Sequence, residues 1–277
     1  MSLMRSQSLQ RQRGVTLVEL MISLALGVVL VLAATDVMLS GRQTYISISA
    51  SAGIQDSAGY IQSLLRTQIN HAGFTSNPVK SLSTEFAADT AASSTSGGIA
   101  WSAAQVVSGV RSTTITGSPD MLYVRLQGNS DGSTLDCLGQ SVVSGDTVVM
   151  KLYMASDLAL YCTVSGHDTN TKNQTQSLVQ GIEGMRLLFG VDSDEDNAID
   201  KWLQTTQLAA ASTTDKTHIA AVRVGLIISS TVSTDQGSSA KTFSLLGSNV
   251  TTAVSSRMRQ AFENTFWLPN VALMRES

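Results

Sequence analysis

At 277 residues the chain is long enough for one large domain or two small ones around a buried core. Its 18 Lys and Arg against 21 Asp and Glu leave a net charge of −3, and only 14% of residues are charged. That argues against a nucleic-acid binder working through a basic face and against an acidic disordered tail protein. Ser and Thr number 67 while Lys appears 6 times, a composition that suits polar strands and loops in an extracytoplasmic β-rich domain better than a cytosolic enzyme. Two cysteines cannot by themselves build a four-ligand zinc site.

The N-terminus carries the strongest signal. Met1 to Gly14 contains Arg5, Arg11 and Arg13 and no acidic residue, and Val15 to Thr35 is an apolar run whose single charge is Glu19. As a helix this run is ~32 Å long at ~1.5 Å per residue, enough for a ~30 Å hydrocarbon core. A basic flank ahead of it predicts a cytoplasmic N-terminus with the remainder exported. Glu19 is out of place in an ordinary anchor, since an intramembrane carboxylate costs ~2.5–3.5 kcal/mol on insertion scales. Cleavage between Gly14 and Val15 would create an amine at the edge of the span, and such an amine on a neighbouring subunit would neutralise Glu19. An ordinary anchor, or a secretory signal peptide cut near Ala33 or Ala34, is the competing reading.

Arg13-Gly14-Val15-Thr16-Leu17-Val18-Glu19 resembles the class III signal of type IV prepilins and type II secretion pseudopilins. The usual mature start there is Phe-Thr-Leu-Ile-Glu; Val15 and Val18 stand in place of Phe and Ile. The resemblance implies a leader at 1–14, removal of it by prepilin peptidase after Gly14, N-methylation of Val15, and a filament-assembly role for Glu19. It also implies an α+β, type IV pilin-like fold: a long N-terminal helix, half transmembrane, packed on an antiparallel β-sheet globular domain.

Beyond the span, Ile54, Ala58, Ile61, Leu65 and Ile69 recur at helical spacing, and Gly73 offers a stop. We therefore expect one helix over 15–73, with 15–35 as transmembrane segment and filament core, and a β-rich extracytoplasmic domain over 74–277. Gly27, Gly41, Gly53 and Gly59 interrupt it, for close packing or for local unwinding. The Ala-, Ser-, Thr- and Gly-rich stretch from Asn77 to Ser118 reads as a solvent-facing irregular connection with weak strand potential at Gln105–Val110. Strands are expected at Met121–Leu126, Thr147–Met154, Leu158–Val164, Gly184–Val191 and Ile219–Ser230, giving an α+β domain.

The order of these pieces, with Gly-Met-Arg-Leu-Leu-Phe-Gly-Val-Asp at 184–192 and Ala-Val-Arg-Val-Gly-Leu at 221–226, resembles the PilW-type minor pilins. The type II secretion J pseudopilin is a more distant relative. Arg257 to Thr265 is similar to the family's C-terminal strand region, whereas Phe266-Trp267-Leu268-Pro269-Asn270 departs from it. The family role so implied is a subunit that primes assembly of a type IV pilus or caps it, supporting twitching, adhesion or DNA uptake. Its partners are prepilin peptidase, other minor pilins and the major pilin, and a tip adhesin. It lies in the inner membrane before assembly and in the pilus at the cell surface afterwards. A J-like pseudopilin, or a periplasmic hydrolase or binding protein on an ordinary signal, are the alternatives.

Cys137 and Cys162 lie in a segment expected outside the cytoplasm and are read as a disulfide, with two buried free thiols as the alternative. Asp192, Asp194, Asp196 and Asp200 stand at positions 1, 3, 5 and 9 of a loop with Ala198 at position 7, as in the first part of an EF-hand. Asn197 and Leu203 replace the Gly and Glu of that motif, so weak calcium binding and a solvated acidic turn stay open, with Glu195 facing outward. His71, His167 and His218 show no metal-ligand spacing. Gly237 to Thr242 lacks the glycine of a phosphate loop, and no Gly-x-Ser-x-Gly elbow occurs. No enzyme, no required cofactor and no direct nucleic-acid contact are expected.

Overall fold

Apolar residues repeating every three to four positions make the first element. In the computed structural model, which describes residues 14–77, 79–115, 117–168, 172–234 and 238–273, helix α1 runs Leu17–Asn70 without a break. The expected leader residues 1–13 lie outside the described part. The chain divides into two units, Met1–Ile46 and Ser47–Ser277. In the first, the helix turns large apolar side chains outward all round: Leu17 is 75% exposed and Leu30 70%. In the second, it buries Ala50, Ile54, Ile61, Leu65 and Ile69. A Cβ built on Gly27, Gly41, Gly53 or Gly59 would meet nothing within 4 Å, so packing inside this chain does not require these glycines, and the helix does not unwind at them. It ends where Gly73 adopts φ 72°, a conformation that suits glycine, and Gly73 N–H donates to the Arg125 carbonyl at 2.9 Å.

Eleven strands follow among the described residues. A five-stranded antiparallel meander has the order β1 (Val107–Arg111), β2 (Asp120–Gln127), β3 (Thr147–Met154), β4 (Ala159–Ser165), β5 (Thr175–Gln180). A four-stranded antiparallel sheet uses β6 (Ile182–Val191), β7 (Lys201–Gln204), β8 (Ile219–Ser233) and β11 (Arg257–Trp267) in the order β11-β8-β6-β7. Between β8 and β11 lies the hairpin of β9 (Thr242–Leu245) and β10 (Ser248–Thr251). Short helices α2 (Leu82–Glu85), α3 (Thr205–Ala209), α4 (Thr213–Thr217) and α5 (Pro269–Leu273) complete the chain.

One apolar core joins both sheets to the helix. Ile54, Ile61, Leu65 and Ile69 belong to the same buried cluster as Val224, Leu226, Ile228 and Phe266 of β8 and β11, and Leu122, Val124, Met150 and Leu160 of the meander. Each such side chain contributes about 1.5–3 kcal/mol of burial. Two amide pairs mark the seam: Gln55 donates to Gln260 at 3.2 Å and Gln62 to Asn264 at 3.4 Å.

Three sequence expectations change. Leu158 takes φ 62° in the turn, so β4 starts one residue later. The connection before β1 is not wholly solvent-facing: Phe86 and Trp101 are buried at 0% and 2% exposure, and Trp101 packs with Tyr123 and Val149 in a second cluster. The short strands β5, β7, β9 and β10 were not expected at all. The β9–β10 turn, Leu246-Gly247, has φ 48° and 74°, the pair of left-handed residues that a tight two-residue hairpin requires.

Candidate functional site

The N-terminal segment is built on a capped helix start. Thr16 precedes α1, and its hydroxyl accepts the Glu19 N–H at 3.3 Å. Glu19 Oε2 lies 3.5 Å from both the backbone nitrogen and the hydroxyl of Thr16, the long-range form of a capping box. Ser23 then donates its hydroxyl to the Glu19 carbonyl at 2.6 Å. Glu19 thus stands in the first turn, where a negative charge suits the helix dipole, with its carboxylate exposed. Around it, Val15, Val18, Leu20 and Ile22 are more than half exposed. A contiguous apolar surface of this kind is covered by lipid or by other chains, and α1 is long and apolar enough to cross a membrane.

Cys137 and Cys162 are joined in a disulfide, with Cα atoms 6.5 Å apart. It ties the long β2–β3 connection to the middle of β4. Closing a loop of this length stabilises the fold by about 3–4 kcal/mol in the chain-entropy description. Beside it, His167 Nε2 lies 3.0 Å from Asp136 Oδ2, both side chains fully buried. With both cysteines in the disulfide, this histidine has no thiol to activate. His218 instead lies 3.2 Å from the Glu195 carboxylate.

The acidic loop after β6 gathers three of its four aspartates. One carboxylate oxygen from each of Asp192, Asp194 and Asp200 lies within 4.8 Å of the others. Asp196 is outside this group and accepts the Ala198 N–H at 2.8 Å. Asp192 is buried and accepts from Asn197 N–H at 3.2 Å, while Asp200 accepts from Ser193 N–H at 2.6 Å. Asn197 adopts φ 67°, so it takes the left-handed backbone that glycine supplies in an EF-hand loop. Lys201 directs its ammonium to Asp215, 2.7 Å away, and that ion pair holds the Asp215 carboxyl below its ordinary range.

Sequence inspection missed the Thr16 cap, although Thr-x-x-Glu is its signature. It also missed Arg125, a lone cation in an apolar strand, and Asn270, whose side chain meets the distant end of α1.

Comparison with known proteins places these features. The sequence model described as the prokaryotic N-terminal methylation motif matches residues 9–35, and that described as Type IV Pilus-assembly protein W matches residues 147–270. No curated protein matches the chain significantly. Among solved structures, the type IV-like pilin TTHA1219 from Thermus thermophilus is similar, with a TM-score of 0.45 at 12% identity over 79% of this chain and 97% of that one. The methylation motif over the capped apolar helix and the pilus-assembly match running from β3 into α5 together support a minor pilin of the type IV pilus, PilW in type, acting as a structural subunit.

Proposed function

We propose that this minor pilin is cut between Gly14 and Val15 by prepilin peptidase, methylated on Val15, held in the inner membrane by α1, and drawn into the filament. There it primes assembly or caps the pilus, together with other minor pilins, the major pilin and a tip adhesin. Twitching, adhesion or DNA uptake then depend on it through the filament. The observation that carries the reading is the exposed Glu19 carboxylate on an α1 segment whose apolar side chains find no cover inside their own unit. A buried carboxylate in an assembled bundle needs a cation, and the new amine of a neighbouring subunit has the charge and the position. Intact-mass measurement of sheared or membrane-extracted protein tests this: a mature chain starting at Val15 is expected, and a start near Thr35 would overturn the reading.

The acidic loop is read in the same context as a weak calcium site formed by Asp192, Asp194 and Asp200 with the Ala198 carbonyl. The convergence of three carboxylates supports it, and Asp196 stands aside from the set.

A further inference from the structure

The two large sheets end in β1, β5, β7 and β11, and β11 differs from the other edges. β7 has four residues, β5 has six, and β1 packs against α3. β11 has eleven residues and pairs with β8 alone among the described residues. Leu268 N–H donates to the Ala220 carbonyl at 2.9 Å, and the register keeps step with that bond from Gln260 to Trp267. Opposite residues of an antiparallel ladder alternate between bonded and unbonded pairs. Gln260, Phe262, Asn264 and Phe266 therefore direct their N–H and C=O groups at β8. Those of Ala261, Glu263, Thr265 and Trp267 point away from the sheet, and none has a hydrogen-bond partner among the described residues.

An open edge is a template for another chain, and proteins block it with lysine, proline, a bulge or a covering element. From Gln260 to Trp267 no lysine or proline occurs, and the bulge lies outside this stretch, between Arg257 and Arg259. The four outward-facing residues are all exposed, Trp267 at 53%. Donors and acceptors that alternate at strand spacing are matched by an extended backbone, so the occupant is a strand. Glu263 forms no ion pair among the described residues, and a lysine or arginine opposite it gains a cross-strand pair. The inner side of β11 meets α1, where Gln55 and Gln62 bond Gln260 and Asn264, so an added strand runs beside α1. A second copy does not fit this place. Antiparallel pairing of two β11 strands in one sheet needs a two-fold axis normal to it, which reverses the α1 packed on one copy. Chains inserted in one membrane by the same signal share one orientation.

We infer that β11 is an assembly edge: an extended segment of a different pilin subunit, with a basic residue opposite Glu263, adds to it as a fifth strand of the four-stranded sheet. This rests on the reading of the chain as a pilus subunit. The test compares full-length Ala261→Pro and Ala261→Ser with wild type in the cells of origin. Proline removes an outward N–H and leaves the bonds to β8 in place; serine keeps that N–H. Membrane levels of both variants should match wild type. The ratio of subunit in purified pili to subunit in membranes should fall several-fold for proline alone. Independently, a photo-reactive benzoylphenylalanine in place of Thr265 should cross-link, within pili, to a segment of another chain that has a prepilin-type N-terminus. Where Ala261→Pro does not accumulate in membranes, the cross-link decides. Wild-type entry of a membrane-stable Ala261→Pro into pili overturns the inference. So do cross-links confined to a second copy, to a chain that is not a pilin, or to nothing. Absence of wild type itself from pili overturns the pilus reading and this inference with it, which tells the two failures apart.

Discussion

Asn270 closes the end of the long helix: its side-chain amide donates to the Asn70 carbonyl at 3.0 Å and to the Ala72 carbonyl at 3.1 Å. The last carbonyls of a helix have no partner within it, and here the C-terminal segment supplies one from 200 positions away. The Phe-Trp-Leu-Pro-Asn stretch at 266–270 therefore serves as a latch, with Leu268 and Val271 buried beside it.

Asn270→Ala should lower stability by about 1–3 kcal/mol, the range for two lost hydrogen bonds at a partly buried site. Hydrogen exchange at residues 66–72 should accelerate while β8 stays protected. Unchanged exchange at the helix end would mean that the latch contributes nothing.

Glu19→Gln separates the two roles of that residue. Glutamine can occupy the third position of a capping box, so the helix start and the membrane level of the protein should be preserved. The neutral side chain cannot pair with an amine, so the ratio of subunit in purified pili to subunit in membranes should fall several-fold. Thr16→Ala should do the reverse, weakening the helix start by about 0.5–2 kcal/mol with the charge kept. Equal incorporation of Glu19→Gln and wild type would sink the ion-pair account.

Arg259 and Glu183 form a buried ion pair at 2.8 Å, the two side chains 0% and 3% exposed. Arg259 also donates to the Ala253 and Ser255 carbonyls, so it holds the base of the β9–β10 hairpin against β6. Arg259→Met should cost about 3–5 kcal/mol in chemical denaturation, because Glu183 is left buried without its cation. Pairing it with Glu183→Leu should recover much of that loss. A single substitution costing under about 1 kcal/mol would show the pair to be solvated.

Calcium titration with thermal melting addresses the acidic loop. Without a bidentate residue at position 12, occupancy is expected at roughly 10⁻⁴–10⁻³ M. Stabilisation should be lost in an Asp194→Ala/Asp200→Ala variant and kept in Asp196→Ala, because Asp196 is not among the clustered carboxylates. Equal response of both variants, or none in wild type at millimolar calcium, would leave a solvated turn.

Much of the fold could be read from the chain itself, for physical reasons that differ by element. β3 and β8 are long enough for alternation or a β-branched run to stand out, and α1 carries its stripe over several turns. β5, β7, β9 and β10 are stretches of four to six residues, half or more of them polar, whose strand state comes from a neighbour's hydrogen bonds and not from their own pattern. Gly184 and Gly225 were invisible as packing positions: a Cβ there would lie 3.2 Å from Val250 and 2.8 Å from Leu245 of the hairpin, and nothing local announces that hairpin. The disulfide was legible because only two cysteines exist. Arg125 and Asn270 were not, because their meaning lies in partners dozens to hundreds of positions away.

The seam between Gln55 and Gln260, and between Gln62 and Asn264, joins helix to sheet through uncharged amides above an aliphatic floor. Neither kind of contact relies on a titrating group, and neither is weakened by the counterions that screen exposed ion pairs. This joint between helix and sheet is therefore expected to hold alike in dilute fresh water, in brine and in acidified surroundings.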